Sequence, residues 1–227
     1  MSTLYIVATP IGNLEDVTLR ALRILKEVDM VYAEDTRVTS KMFARHEITT
    51  KLHAYHQRSG AQVGDDIIAH LEAGKSIALV SDAGTPGIAD PGNELIEKVL
   101  KALPETRIEP IPGASSLTAA LSVCGFPTNE FVFLGFLPHK KGRMTMLSEI
   151  GDIARTVALF ESPHRIGKLL QELNTRMPDR ACAIFRETTK LHESTYRGTV
   201  SELAAACASG VIPQRGEFVV VLAPADF

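Results

Sequence analysis

Residues 4–33, LYIVATPIGNLEDVTLRALRILKEVDMVYA, decide the fold. LYIVA is a short apolar run of the buried-strand kind, and TPIGN breaks it. Val17, Ala21, Leu22, Leu25 and Val28 then recur at helical spacing, and MVYA is again apolar. Strand, helix and strand within about thirty residues make a βαβ unit, whose strands run parallel through a right-handed crossover. The alternation continues outward. The pattern predicts helices at 36–45, up to Leu71 and at 93–102, with strands in LHAYH (52–56), SIALVS (76–81) and RIEPI (107–111).

PIPGASS (110–116) breaks this rhythm, and ASSLTAALSVC opens a small-residue helix. Beyond it come apolar strands in FVFLGF, TVALFE, ACAIFRE and EFVVVLA, with helices near 142–150, 163–176 and 200–208. The expectation is two α/β domains, 1–112 and 113–227, the second with a mixed sheet.

At 45% hydrophobic residues the composition suits ordinary globular cores, and a formal charge of −3 gives no global basic footprint. Any nucleic-acid contact must therefore come from a local patch. Cys124, Cys182 and Cys207 are odd in number, widely spaced and in apolar surroundings, as in reduced core residues of a cytoplasmic protein. The start lacks a basic segment and a long apolar run, so it reads as a strand rather than a signal peptide or membrane span.

VSDAGTPGIADPG (80–92) follows an apolar strand with three glycines, two prolines and two aspartates. A glycine-rich turn there commonly cradles phosphate, because bare N–H groups approach an anion. Yet no Lys, Arg or His lies between Lys75 and Lys98. With Asp82 and Asp90 its only charges, the loop suits a neutral or cationic ligand at a strand's carboxyl end. A plain strand-to-helix connection with Asp90 near the N-cap is the competing reading.

The blocks LYIVATPIGNLEDVTLRAL, AEDTR, VSDAGTPGIADPG, PGASS, FLGFLP, ESPHR and RETTKLHE, in this order, resemble the ribosomal RNA small subunit methyltransferase I family, a branch of the tetrapyrrole methylase superfamily. The resemblance spans nearly the whole chain. It implies two α/β domains with S-adenosylmethionine in a cleft between them, a class III methyltransferase fold, and a homodimer. It also implies methylation of a cytidine ribose 2′-hydroxyl in the decoding region of 16S ribosomal RNA, in the small ribosomal subunit. Carried over by position, Pro10, Asp82, Gly84, Thr85, Ile88, Ala89, Ser115 and Ser116 would contact the cofactor, with Phe160, Leu191 and Glu217 closing over its adenosine. Thr85 stands where the wider superfamily has an aspartate. Family members commonly carry a further small segment after the last strand, whereas this chain ends at LAPADF.

A sulfonium carries no phosphate, in agreement with the loop chemistry. Transfer to a hydroxyl is an in-line displacement, so alignment matters most and a base adds roughly 10²–10⁴-fold. AEDTR offers Glu34 beside Arg37 as a pair that orients a ribose or phosphate, while Asp35 or Thr36 suits helix capping. ESPHR offers Glu161, His164 and Arg165 behind a Ser162–Pro163 helix start. PHKKGR is the densest basic run, and Lys140, Lys141 and Arg143, with Arg165, are the candidate RNA contacts; a solvated charge run is the bland alternative. His53 and His56 fall on opposed faces of a strand, and with no Cys/His cluster no metal is expected. A tetrapyrrole carbon methyltransferase and a cofactor-binding RNA module without turnover are the competing functions.

Overall fold

The computed structural model describes residues 2–55, 60–90 and 92–227; His56 and Pro91 lie outside them. The chain divides into two compact units, Met1–Ser115 and Ser116–Phe227, where the sequence reading places the boundary after residue 112.

Unit 1 holds β1 (Thr3–Val7), α1 (Leu19–Glu27), β2 (Met30–Ala33), α2 (Thr36–Arg45), β3 (Lys51–Ala54), α3 (Gly60–Glu72), β4 (Ile77–Val80), α4 (Gly92–Ala102) and β5 (Arg107–Ile111). The sheet order is β3-β2-β4-β1-β5 and every pairing is parallel. The near-continuous apolar runs follow from this, since a parallel sheet is covered on both faces. Val7, Val31, Ala33, Ala78 and Val80 meet α1 and α2 on one face. Their neighbours Leu4, Ile6, Met30, Tyr32, Ile77 and Leu79 meet α3 and α4 on the other. Thr18 and Asp35 cap α1 and α2, accepting from the Ala21 and Arg37 N–H groups.

The chain therefore leaves β1 toward one face, through α1, and leaves the adjacent β4 toward the other, through α4. Such a divergence opens a crevice outside the carboxyl ends of the two strands, where α/β sheets bind ligands. Residues 81–90 run along that edge.

Unit 2 holds α5 (Ser116–Val123), β6 (Phe131–Phe136), α6 (Arg143–Asp152), β7 (Thr156–Glu161), α7 (Ile166–Asn174), β8 (Ala181–Arg186), β9 (Ser194–Thr199), α8 (Val200–Ala208) and β10 (Phe218–Leu222). Its sheet runs β6-β7-β10-β8-β9, parallel only between β6 and β7. One face packs on α6, α7 and α8 through Leu159, Ile184 and Val220, and the other on α5 through Ala158, Ala183 and Val219.

Two features depart from the sequence reading. The edge strand β9, STYRGT, has no apolar run to betray it and pairs only with β8. Helix α7 begins at Ile166, not at Pro163: residues 163–165 form a turn whose Ser162 carbonyl accepts from the Arg165 and Ile166 N–H groups. Cys124, Cys182 and Cys207 are free and buried, and burial pushes the Cys182 thiol up to about 12. Among the described residues no His, Cys, Asp and Glu cluster is arranged to hold a metal, and no helix is long and apolar enough to cross a membrane.

Candidate active site

At the carboxyl edge of the unit 1 sheet, the segment after β1 and the loop after β4 are tied together. Thr9 and Gly84 exchange both backbone hydrogen bonds, at 2.9 and 3.1 Å. The Thr9 hydroxyl donates to the Ser81 carbonyl at 3.2 Å, and the Ser81 hydroxyl to that of Gly84 at 3.3 Å. Pro10 is buried beside this bridge. Gly84 and Gly87 have φ of +81° and +87°, in the left-handed region that glycine enters at least cost. A Cβ on Gly87 would stand 2.7 Å from Asn93 Oδ1, and one on Gly84 3.4 Å from Ile11. Ala89 takes φ +65° with a side chain in place. Asp90 Oδ1 stitches the loop, accepting from Gly87 N at 2.6 Å and Gly92 N at 2.9 Å.

The carboxylates gather here. Glu34, Tyr55, Ser81, Pro86, Asp90 and Gly92 line a small concavity open to solvent. Desolvation raises the Glu34 carboxyl above its ordinary value, and the charges of Asp82, Asp90 and Asp35 raise it further. Asp82 is raised too, first by desolvation and then by Asp35, although it accepts the Asp35 N–H at 2.8 Å. Asp35 goes the other way. Its bonds to the Arg37 guanidinium, followed by the one to Arg37 N, hold it at about 2.

That pairing corrects the expected Glu34–Arg37 couple. Arg37 Nη2 sits 2.6 Å from Asp35 Oδ2, with its side chain 89% exposed, so the pair decorates the start of α2 and leaves Glu34 without it. Asp82, Gly84, Thr85, Ile88 and Ala89 all lie on the glycine loop; Gly84 is buried, Thr85 half-buried, and Asp82, Ile88 and Ala89 exposed. Ser115 ends unit 1, and Ser116 opens α5 of unit 2.

In unit 2, register brings the remaining candidates to one sheet edge, since Phe218 at the start of β10 pairs with both Glu161 and Arg186. Phe160 is half-buried against the rings of Phe133 and Phe136. Glu217 Oε2 receives Lys190 Nζ at 2.8 Å, and Leu191, 94% exposed, lies in the loop between β8 and β9.

The ESPHR and PHKKGR segments meet, in a way their sequence does not announce. Glu161 is buried; its Oε1 accepts from Ser162 N at 2.8 Å and lies 3.3 Å from Arg165 Nε. Arg143 is buried as well, donating to Glu172 Oε2 at 2.9 and 2.6 Å. Arg165 Nη2 donates to the Leu137 carbonyl at 2.5 Å. Glu161 is therefore not placed as a base, and Arg143 and Arg165 are not free phosphate contacts: buried charges need their partners, and these have them. His139, Lys140, Lys141 and His164 remain exposed.

Residues 3–204 match the model of the Tetrapyrrole (Corrin/Porphyrin) Methylases. A ribosomal RNA small subunit methyltransferase I of Neisseria meningitidis is 43% identical over 225 residues, covering 99% of this chain and 77% of that protein. The same-named protein of Thermotoga maritima is 44% identical, covering 89% and 90%. A solved diphthine synthase superposes with TM-score 0.74 at 16% identity, covering 98% of this chain and 90% of that one. A Thermus thermophilus uroporphyrin-III C-methyltransferase complexed with S-adenyl homocysteine superposes at 0.66 and 19%, covering 100% and 99%. The fold is thus that of the class III methyltransferases, and at this identity over this length the chain belongs to the tetrapyrrole methylases, and within them to the ribosomal RNA small subunit methyltransferase I family.

Proposed function

We propose that this methyltransferase takes its methyl group from S-adenosylmethionine and places it on the ribose 2′-hydroxyl of a cytidine in the decoding region of 16S ribosomal RNA. The observation that carries the cofactor is the strand-end loop of unit 1. Its glycines let the backbone approach a ligand, its carboxylates gather beside it, and no basic residue accompanies it. Those residues fit a sulfonium-bearing nucleoside and not a polyphosphate. The relatives' shared name supports the RNA substrate. Cytidine, its 2′-hydroxyl, the decoding region, the homodimer and the cytoplasmic setting are part of the same proposal.

When bound, the sulfonium supplies an electrophilic methyl carbon and a neutral leaving group. The chain's own work is to hold the ligand against the Thr9–Gly84 bridge and to align the hydroxyl with it. Glu34 is the proposed base, its carboxylate taking the hydroxyl proton. Burial and its acidic neighbours raise it toward the pH at which a base works best. Gly84, Gly87 and Ala89 shape the loop, and Lys140 and Lys141 grip RNA phosphates.

Nucleoside mass spectrometry tests this, after unmodified small subunits are incubated with the protein and methyl-labelled S-adenosylmethionine. Label in 2′-O-methylcytidine from a decoding-region fragment is the expected result. Label in another nucleoside refutes the position, and cofactor binding without RNA labelling favours a tetrapyrrole substrate.

A further inference from the structure

Residues 137–142 link β6 to α6 and carry His139, Lys140 and Lys141 on the surface. A surface loop with two adjacent lysines normally loses considerable freedom when it grips a phosphate. Here the backbone is tied down from beneath. Arg165 Nη2 donates to the Leu137 carbonyl at 2.5 Å, and its Nη1 lies 3.3 Å from His139 Nε2. Arg143 Nη1 donates to the Pro138 carbonyl at 3.2 Å, and Arg143 N to that of Lys140 at 3.2 Å. Gly142, at φ +83°, closes the turn.

Both guanidiniums are held in turn. Glu161 stands 3.3 Å from Arg165 Nε and 3.9 Å from Arg143 Nη2, while Glu172 takes the inner edge of Arg143. Arg143 and Glu161 are buried, Arg165 and Glu172 partly so, and each guanidinium faces a carboxylate, as a charge withdrawn from water needs. The planar fork matters, because one lysine ammonium cannot reach a carboxylate, a carbonyl and a ring nitrogen in fixed directions.

We propose that Arg165 and Glu161 are positioning residues, which pre-form the 138–142 loop so that Lys140 and Lys141 meet RNA phosphates already ordered. This rests on the reading that the two lysines contact RNA. Glu161 thereby acts on the substrate through Arg165 rather than by touching it.

The test uses the full chain with Arg165→Lys, which keeps the charge and loses the fork, and with the lysine pair replaced by alanine, alone and combined. Glu161→Gln, which keeps the side-chain volume and an acceptor for Ser162 N, is the second positioning variant. Hydrogen exchange of the 139–143 peptide is read in the free protein, with the β10 peptide as the internal control for folding. Binding of a small-subunit ribosomal RNA fragment is read across a salt series. Arg165→Lys is expected to speed exchange at 139–143 but not in β10. It should weaken RNA binding roughly tenfold, the ordering cost of two long side chains. In its background the lysine replacements should cost less than in the parent, because coupled groups do not add. Unchanged exchange, or losses that add, overturns the positioning role. A lysine-pair variant that binds RNA as tightly as the parent overturns the contact reading beneath it, whatever the exchange shows.

Discussion

Arg143→Ala separates a buried structural arginine from a phosphate-gripping one. The Arg143 side chain is 4% exposed, with two bonds of 2.9 and 2.6 Å to one oxygen of Glu172 and a third of 3.2 Å to the Pro138 carbonyl. Its Nη2 also stands 3.9 Å from Glu161 Oε2, a buried oxygen with no hydrogen-bond partner of its own. Breaking a buried ion pair from one side costs about 3–5 kcal/mol, because the other charge is left behind. Glu172 softens that cost: it is 17% exposed and Lys168 Nζ stands 3.9 Å away. The expected loss is therefore in the lower half, about 3–4 kcal/mol, a large share of a stability of order 5–15 kcal/mol. Urea unfolding followed by far-UV circular dichroism measures it, the chain having no tryptophan. A solvated arginine lost from the surface would change stability by no more than about 0.5 kcal/mol. A loss below about 1 kcal/mol, joined to a salt slope reduced by about one, would return Arg143 to the RNA surface and refute the burial argument.

Gly87→Ala places a side chain at φ +87° and 2.7 Å from Asn93 Oδ1, so thermal unfolding should show a loss of about 1–2 kcal/mol and calorimetry a weaker affinity for S-adenosylmethionine; an unaffected melt would show that the loop relaxes freely. For Glu34→Gln the sign follows from the raised carboxyl. The folded state holds the proton more tightly, so ionisation costs stability as pH rises from the ordinary carboxylate range through the raised value. The variant should outlast the parent at pH 7, match it in strong acid, and transfer methyl groups roughly 10²–10⁴-fold more slowly; equal stability at both pH values counts against the carboxylate cluster. Asp35 is held at about 2, so its contribution is present above the ordinary 3.8 and disappears as pH falls through about 2. An Asp35→Ala deficit should accordingly be larger at pH 5 and shrink as pH falls through about 2 to what the helix cap alone contributes, and one that is constant over that range sinks the Arg37 pairing as its cause.

What the sequence makes legible follows from what has a local signature. The parallel sheet of unit 1 is written in runs such as LYIVA and IALV, because strands covered on both faces admit little else. Helix α8 is equally plain, opening on a Thr199–Glu202 capping box. β9 is hidden because an edge strand with one partner has no need of an apolar run. The glycine loop and its acidic neighbours are legible as a strand-end cluster without a basic residue, since their composition is local. The fate of the arginines is not. Arg37 sits three residues from Glu34 and two from Asp35, and only the cap geometry of α2 decides for Asp35. Arg143 and Glu172 are 29 positions apart, and no spacing rule joins them. The buried Glu161 is the one signal available, as a charge at the end of an otherwise apolar strand, TVALFE, begs for a cation.

The withdrawal of Arg143 and Arg165 into the protein changes what the basic loop has to offer. Of the four expected phosphate contacts only Lys140 and Lys141 keep exposed side chains. For single-stranded RNA each neutralised phosphate contributes about 0.7 to the log–log salt slope, so on the proposed contact this loop would supply about 1.4. That is a weak, sequence-blind attraction in a chain whose net charge is −3. On that proposal, so small an electrostatic contribution from this loop would leave selectivity to shape, as suits a folded RNA target presented in fixed geometry. Pre-ordering of the loop serves that end. On the proposed contact, two lysines on a loop held by Arg143 and Arg165 would discriminate between phosphate arrangements, whereas four mobile cations would accept nearly any. On this reading the arginines would matter more to recognition by ordering the loop than by meeting phosphate themselves.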